Sequence, residues 1–442
     1  MNEEKKFTKY FVISVLMMTL LAGCGSSGGN ETTSNDGGNT ATTGAADDVG
    51  TGGGEPITIE FWNVFTGSDG DILREIVDEF NATNTDNITV NMDIMPNDTL
   101  QQKLPASIAT DTAPDLVLFG VENIAPYVSN NSLEDVSDFW DVTGYDKDNI
   151  TENVLELSQI DGKLYGTPMQ YNVSYLYWNK DLFEAAGLDP EKPPTTLEEL
   201  AEYAEKLTDT SKNQYGLALP TGITYIQFLW ANGGDSNDTQ TNENLLNSAE
   251  NLATLEWLQD LTVNKGVTPL NITGSDADAM LQAGQIAMYM SGPWQINGLN
   301  EQGINFGITS VPEGSDGAYS PAGGCSYVIP KGTGDAEKEA AYKFMQYWLS
   351  DEVLKTWSQK NGFPVWSKTL MEDDEIKNDE VLSAISEATQ IGRSYNLGYS
   401  LYSQIDNDVM IPMFDEVITG ASTPEDALQK ASDAMDKVLS SE

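Results

Sequence analysis

Ile57-Thr58-Ile59-Glu60-Phe61-Trp62-Asn63 alternates apolar and polar side chains, as a strand with one buried face does. Outward from it, Ile72, Leu73, Ile76, Val77 and Phe80 recur at helical spacing, and Ile88, Val90, Met92 and Ile94 return to a period of two. Residues 100–109 then read as a helix and 116–119 as a buried strand. Strand, helix, strand, helix, strand predicts a parallel sheet covered on both faces. Sites in such sheets lie beyond the carboxyl ends of the strands, here Trp62-Asn63-Val64-Phe65 and Phe119-Gly120-Val121-Glu122.

A second α/β unit starts near Tyr171. Residues 173–178 read as an aromatic strand, 179–186 as a short helix stopped by Gly187, and Thr196 with Glu199 as a capping box for the helix that follows. Further elements are predicted over 217–219, 245–263 and 276–283, with an apolar strand at 286–290. The last helix starts at Thr423-Pro424 and buries Ala427, Leu428, Ala431, Met435 and Val438.

The chain carries 69 acidic and 22 basic residues, a net charge of −47, and no histidine. Ser-His-Asp and Cys-His catalysis and the common His-bearing zinc sites are therefore excluded. No basic stripe is present to neutralise phosphates, so nucleic acid is not an expected partner, and no cofactor is implied. The segment from Pro56 onward, about 385 residues, exceeds the usual size of a single core and favours two lobes. Cys325, leading into an apolar strand, reads as a buried small hydrophobe.

At the N-terminus, Lys5, Lys6 and Lys9 precede an apolar run over 11–21 that is too short to span a bilayer. It closes on Leu21-Ala22-Gly23-Cys24, which resembles the lipobox of bacterial lipoproteins. The resemblance implies removal of a signal peptide over 1–23 and acylation of Cys24, anchoring the chain to a membrane. Residues 24–55, rich in Gly, Ser, Thr, Asn and Asp, cannot bury enough surface to order themselves. As a coil of roughly 30 residues this tether spans on the order of 30 Å.

Three further stretches carry a family likeness. Gly162-Lys163-Leu164-Tyr165-Gly166-Thr167-Pro168 leads to Tyr177-Trp178-Asn179-Lys180-Asp181-Leu182-Phe183 and Ala186-Gly187-Leu188-Asp189-Pro190. Leu281-Gln282-Ala283-Gly284-Gln285-Ile286-Ala287-Met288 continues into Ser291-Gly292-Pro293-Trp294. Ala340-Ala341-Tyr342-Lys343-Phe344-Met345 precedes Ser350-Asp351-Glu352 and Asn361-Gly362-Phe363-Pro364-Val365. In this order they resemble the family 1 extracellular solute-binding proteins, receptors of bacterial carbohydrate ABC importers. The resemblance implies an α/β, two-lobed type II periplasmic-binding-protein fold with three hinge crossovers and a ligand cleft. It places the crossovers near 170–174, 323–326 and 370–375. Lobe one would hold 56–169 and 326–372, and lobe two 170–325 and 373–442.

A sugar has a hydroxylated edge and apolar C–H faces, so its site needs aromatic plates and fixed hydrogen-bonding groups. Trp294, after Gly292-Pro293 at a strand end, matches the stacking tryptophan of maltose-type members; a core indole is the alternative. Glu122 matches an acidic position that accepts sugar hydroxyls in the family, and Phe119 an aromatic one; a merely solvated carboxylate is the alternative for Glu122. Asn172 and Gly324 fall in the first two crossovers, and Tyr225 starts a helix-like stretch in which Trp230 reads as core. Tyr399 and Tyr402 lie in the returning C-terminal segment, and Asn63 and Phe65 at the end of the first strand.

The leading functional reading is a non-enzymatic, extracytoplasmic receptor, lipid-anchored and monomeric, that delivers a mono- or oligosaccharide to a membrane permease. A second keeps the role but takes glycerol 3-phosphate or a glycerophosphodiester. Against it, a phosphate ester wants an arginine fork, and Arg74 and Arg393 are the only arginines. A third, an extracellular glycoside hydrolase, needs a carboxylate pair across the bond that the likeness does not pick out.

Overall fold

The structure is a computed structural model that describes residues 55–440. The Leu21–Cys24 lipobox and nearly all of the tether lie outside the described residues. Strand β1 (Ile57–Asn63) pairs in parallel with β2 (Ile88–Ile94) along its whole length, and with β3 (Leu116–Gly120) at Phe61 and Trp62. The helices Ser68–Thr83 and Asn97–Ala109 make the two connections, as the periodicity requires.

The sheet is mixed, not parallel throughout. Strand β4 (Thr167–Asn172) belongs to it, and β8 (Gly323–Val328) inserts antiparallel between β3 and β4, giving the order β2-β1-β3-β8-β4. Because β3 and β4 are both antiparallel to β8, they run the same way, and their carboxyl ends share one edge with that of β1.

The aromatic stretch 173–178 is not one strand. The chain leaves the first sheet after Asn172 and enters a second through β5 (Tyr175–Asn179), flanked antiparallel by β6 (Met288–Ser291) and β7 (Phe306–Thr309). Strand β5 is buried on both faces. Tyr175 and Tyr177 join the hydrophobic cluster that also covers the first sheet, while Leu176 and Trp178 join a second cluster formed by the 197–261 region and the C-terminal helices. That division follows from the period of two.

Three segments run side by side where the sheets meet. The β4–β5 link is held by the Ser174 N–H donating to Ser320 Oγ at 2.8 Å. Ser320-Pro321 pairs in parallel with Gly392-Arg393, and a Cβ at Gly392 would lie 1.8 Å from the Tyr171 hydroxyl. Near 370, helix Asp351–Asn361, packed on Ser68–Thr83, gives way through Lys368–Met371 and Asp374–Asn378 to Glu380–Glu387, packed on β7.

Smaller departures have local causes. The 217–219 stretch is held by one bridge, Ala218 to Tyr289, instead of forming a strand. The 245–263 helix begins at Ala249, capped by Ser248, and ends in a π turn over Asp260–Asn264. Glu199 does not close its box on Thr196 alone: Thr196 Oγ1 accepts the Glu199 N–H at 3.1 Å, and the Glu199 carboxylate accepts from the N–H and hydroxyl of Thr195 at 2.8 and 2.9 Å. No helix among the described residues is long and apolar enough to cross a membrane.

Candidate functional site

The shared edge of the first sheet gathers Asn63, Glu122, Asn172 and the start of β8. Cys325 pairs with both Gly120 and Gln170, so Glu122 and Asn172, each two residues further on, flank Gly323 and Gly324. Strand β8 approaches β4 too closely for a side chain at 324: φ is 150° there, and a Cβ would lie 2.1 Å from the Gln170 carbonyl oxygen. Asn172 is half-buried.

Glu122 leaves β3 in a single 3-10 turn, Val121–Asn123, and its carboxylate accepts from Asn123 Nδ2 at 3.0 Å. Desolvation raises its pKa above the ordinary glutamate value, against the lowering effect of its own backbone N–H and of Asn123. Burial pushes the Cys325 thiol up to about 12, and the charges of Glu122 and Asp69 add to the shift. Among the described residues Cys325 is a free cysteine, out of reach of the thiolate chemistry that needs a low pKa.

Tyr402, in the short helix Tyr402–Ile405, brings the C-terminal segment to the same place. Its hydroxyl pKa is raised by burial and then by the charges of Asp406 and Glu122. Tyr402 packs edge-on against Tyr395 at 5.7 Å. Asp406 accepts a short hydrogen bond from the Thr224 hydroxyl, and burial raises its pKa. Asp406 and Thr224 were not legible as site residues, because neither sits at a strand end or in a motif.

Trp294 reaches this region from the second sheet. Ser291, the last residue of β6, pairs with Tyr175, which is three residues past Asn172, so the turn Gly292-Pro293-Trp294 stands beside the β4–β5 link. Tyr177 Oη donates to the Gly292 carbonyl at 2.8 Å and fixes that turn. The indole is 56 % exposed, one of four large hydrophobic side chains left open among the described residues. It lies across Gly292, where a Cβ would come within 1.9 Å of the ring. Behind it, the fully buried Gln295 donates to Asp278 and to Ser291 Oγ, anchoring the helix Gln295–Glu301 that follows Trp294.

The other expected contacts are packed against protein in this conformation. Asn63 is fully buried, its Oδ1 accepting the Phe65 N–H at 3.1 Å and its Nδ2 donating to the Asp93 carbonyl. Phe65 stacks on Trp357 at 5.8 Å and Phe119 on Tyr127 at 5.4 Å. Tyr225 is buried, with its hydroxyl donating to the Pro220 carbonyl at 2.5 Å and its ring stacked on Phe228. Tyr399 Oη donates to Asn242 Oδ1 at 2.7 Å. Trp230 is core, as its position suggested.

The sequence pattern of the bacterial extracellular solute-binding proteins matches residues 75–384. The chain belongs to that family. It is a solute-binding protein. The sn-glycerol-3-phosphate-binding periplasmic protein of Escherichia coli is 26 % identical over 330 residues, covering 69 % of this chain and 73 % of that one. The maltotriose-binding protein of Pyrococcus abyssi is 24 % identical over 347 residues, covering 75 % of this chain and 71 % of that one. Among solved structures, the sugar-binding protein MalE of Xanthomonas citri superposes with a TM-score of 0.77 at 21 % identity, covering 87 % of this chain and 98 % of that one. The periplasmic-binding-protein type of fold expected from the sequence is thus shared with known members.

A groove of about 1220 Å³ lies elsewhere, between the helices Leu197–Leu207 and Ala249–Gln259. Glu198, Glu202 and Glu205 flank it, and it shares no lining residue with the strand-end edge.

Proposed function

We propose that this chain captures a neutral carbohydrate outside the cytoplasm and delivers it to the permease of an ABC importer. The ligand would lie between lobe one, 56–169 with 326–372, and lobe two, 170–325 with 373–442. The lobes would close by bending the side-by-side segments at the β4–β5 link, 320–323 and 392–393, together with the passage near 370. The observation that carries the reading is Trp294, an open indole on a turn beside the β4–β5 link, which would face the polar groups Glu122 and Asn172 at the strand-end edge. That pairing of an apolar plate with hydroxyl-binding groups is what a sugar requires. Tyr402 would join them from the C-terminal segment, and Gly323-Gly324 would leave backbone open to the ligand. Asn63, Phe65, Phe119, Tyr225 and Tyr399 would shape the cleft from behind or meet the ligand after closure.

Glycerol 3-phosphate is the second reading, favoured by the similarity to the Escherichia coli protein. Arg393, however, is ion-paired with Asp235 at 2.6 Å and stacked on Trp230 at 4.5 Å, and Arg74 is exposed on the first helix. Neither offers a phosphate fork to the edge that carries Glu122. A thermal-shift screen with glucose, maltose, maltotriose and glycerol 3-phosphate separates the two readings. A neutral sugar at about a hundredfold over its Kd adds about 2.7 kcal/mol of stability. A shift with glycerol 3-phosphate alone would reverse the assignment. The lipid at Cys24 keeps the receptor within reach of its importer, so Cys24→Ala should release the protein to the medium with ligand binding intact.

A further inference from the structure

Three polar side chains converge on one fully buried glutamine, Gln295, which directly follows Trp294. Its Nε2 donates to Asp278 in a short hydrogen bond and to Ser291 Oγ at 3.5 Å, and its Oε1 accepts from Gln282 Nε2 at 3.3 Å. Asp278 and Gln282 stand one turn apart in the helix Gly274–Gln282, so one face of that helix holds both ends of the amide. The helix is itself fixed at its start by a reciprocal capping box between Thr273 and Asp276. It lies close against the helix Gln295–Glu301: a Cβ at Gly298 would stand 2.4 Å from Gln282 Nε2.

The Gln295 amide therefore uses its donors and its acceptor at once, and it cannot turn without breaking these bonds. On the other side of the indole, the Tyr177 hydroxyl pins the Gly292 carbonyl. The turn from 292 to 295 is thus held at both ends, and the Trp294 ring is the part left open. The half-buried Asp278 is costly in this place, since burial raises its pKa against the lowering bond from Gln295. Replacing such a pair by apolar groups of the same shape is close to neutral, so stability alone does not call for it. A plate held still before a ligand arrives loses less freedom when the ligand stacks on it.

We propose, resting on the reading of Trp294 as the sugar plate, that Asp278 and Gln295 are positioning residues that hold its indole in place, Asp278 acting through Gln295. Two measurements separate failure of the positioning from failure of that reading. The first needs no ligand: 19F NMR of the full chain labelled with 5-fluorotryptophan, the Trp294 line being identified by its loss in Trp294→Phe. Asp278→Ala should shift or broaden that line and leave the other tryptophan lines in place. Asp278→Asn, which keeps an acceptor for Gln295, should restore it, and Gln282→Leu, which removes the second hold from the same helix, should move the same line. The second is the affinity for maltose and maltotriose in a double-mutant cycle. Asp278→Ala should weaken it about three- to tenfold when Trp294 is present and leave it unchanged in Trp294→Ala. A Trp294 line that stays put in both Asp278→Ala and Gln282→Leu, or an equal loss of affinity with and without the indole, would overturn the proposal. A line that moves in Asp278→Ala and returns in Asp278→Asn, in a protein that binds none of glucose, maltose and maltotriose, would support the positioning and count against the sugar reading.

Discussion

At residue scale, Trp294 and Gly292 form a unit, because the indole occupies the space where any side chain at 292 would stand. Trp294→Ala should weaken sugar binding about ten- to a hundredfold, measured by titration calorimetry. Since the ring is mostly exposed, the same change should move urea unfolding by less than about 0.5 kcal/mol. Gly292→Ala should weaken binding comparably by swinging the ring away, with Trp294 still present. Glu122 gives a pH signature. Its folded pKa is raised by desolvation, so as pH rises the unfolded chain ionises first. The folded protein therefore loses stability from the unfolded glutamate value, about 4.3, up to the raised folded value, and regains it on acidification through the same window. In Glu122→Gln, urea midpoints should lack that component, which screening reduces because Glu122 is exposed to solvent; a pH profile identical to wild type would contradict the raised pKa.

At the scale of elements, the first strand, the helices of the first unit and the caps were legible because period and capping are local. Thr196 and Thr423, read ahead as helix starts, accept N–H bonds at those starts, whereas the Ser248 cap was not read. Thr196→Ala should cost about 1 kcal/mol in urea unfolding, the usual loss of an N-cap. The insertion of β8 between β3 and β4 was not legible. Its residues read as an apolar strand, but antiparallel pairing to partners some 150 to 200 residues earlier is decided by tertiary packing, not by period. The break at Val173-Ser174 was hidden from the periodicity for a related reason, since its flanks are buried, although the family resemblance put a crossover near 170–174. Gly324 is where that pairing is tightest. Gly324→Ala sets a Cβ against the Gln170 carbonyl oxygen and should destabilise by about 2 kcal/mol or more. For the candidate site, strand-end residues and the Gly-Pro-Trp turn could be read ahead. The depth of Asn63, Phe119 and Tyr225 could not, because a strand-end position does not say which way a side chain packs.

At the scale of the whole molecule, 69 acidic against 22 basic residues leave a self-repelling surface. Added salt screens this repulsion and also weakens the surface ion pairs, each worth at most about 1 kcal/mol. With so few cations the repulsion dominates. Unfolding temperature should therefore rise from dilute buffer to molar salt, and an equal value in both would contradict a dominant surface repulsion. The same excess opposes anionic ligands and agrees with a neutral sugar in the cleft. The most direct measurement is calorimetric titration of residues 52–442, the compact unit, with maltose, maltotriose and glycerol 3-phosphate in wild type and Trp294→Ala. Saturable binding of a neutral sugar, weakened at least about tenfold by Trp294→Ala at unchanged unfolding temperature, is the predicted result. Equal sugar affinity in both proteins, or binding of glycerol 3-phosphate alone, would contradict it.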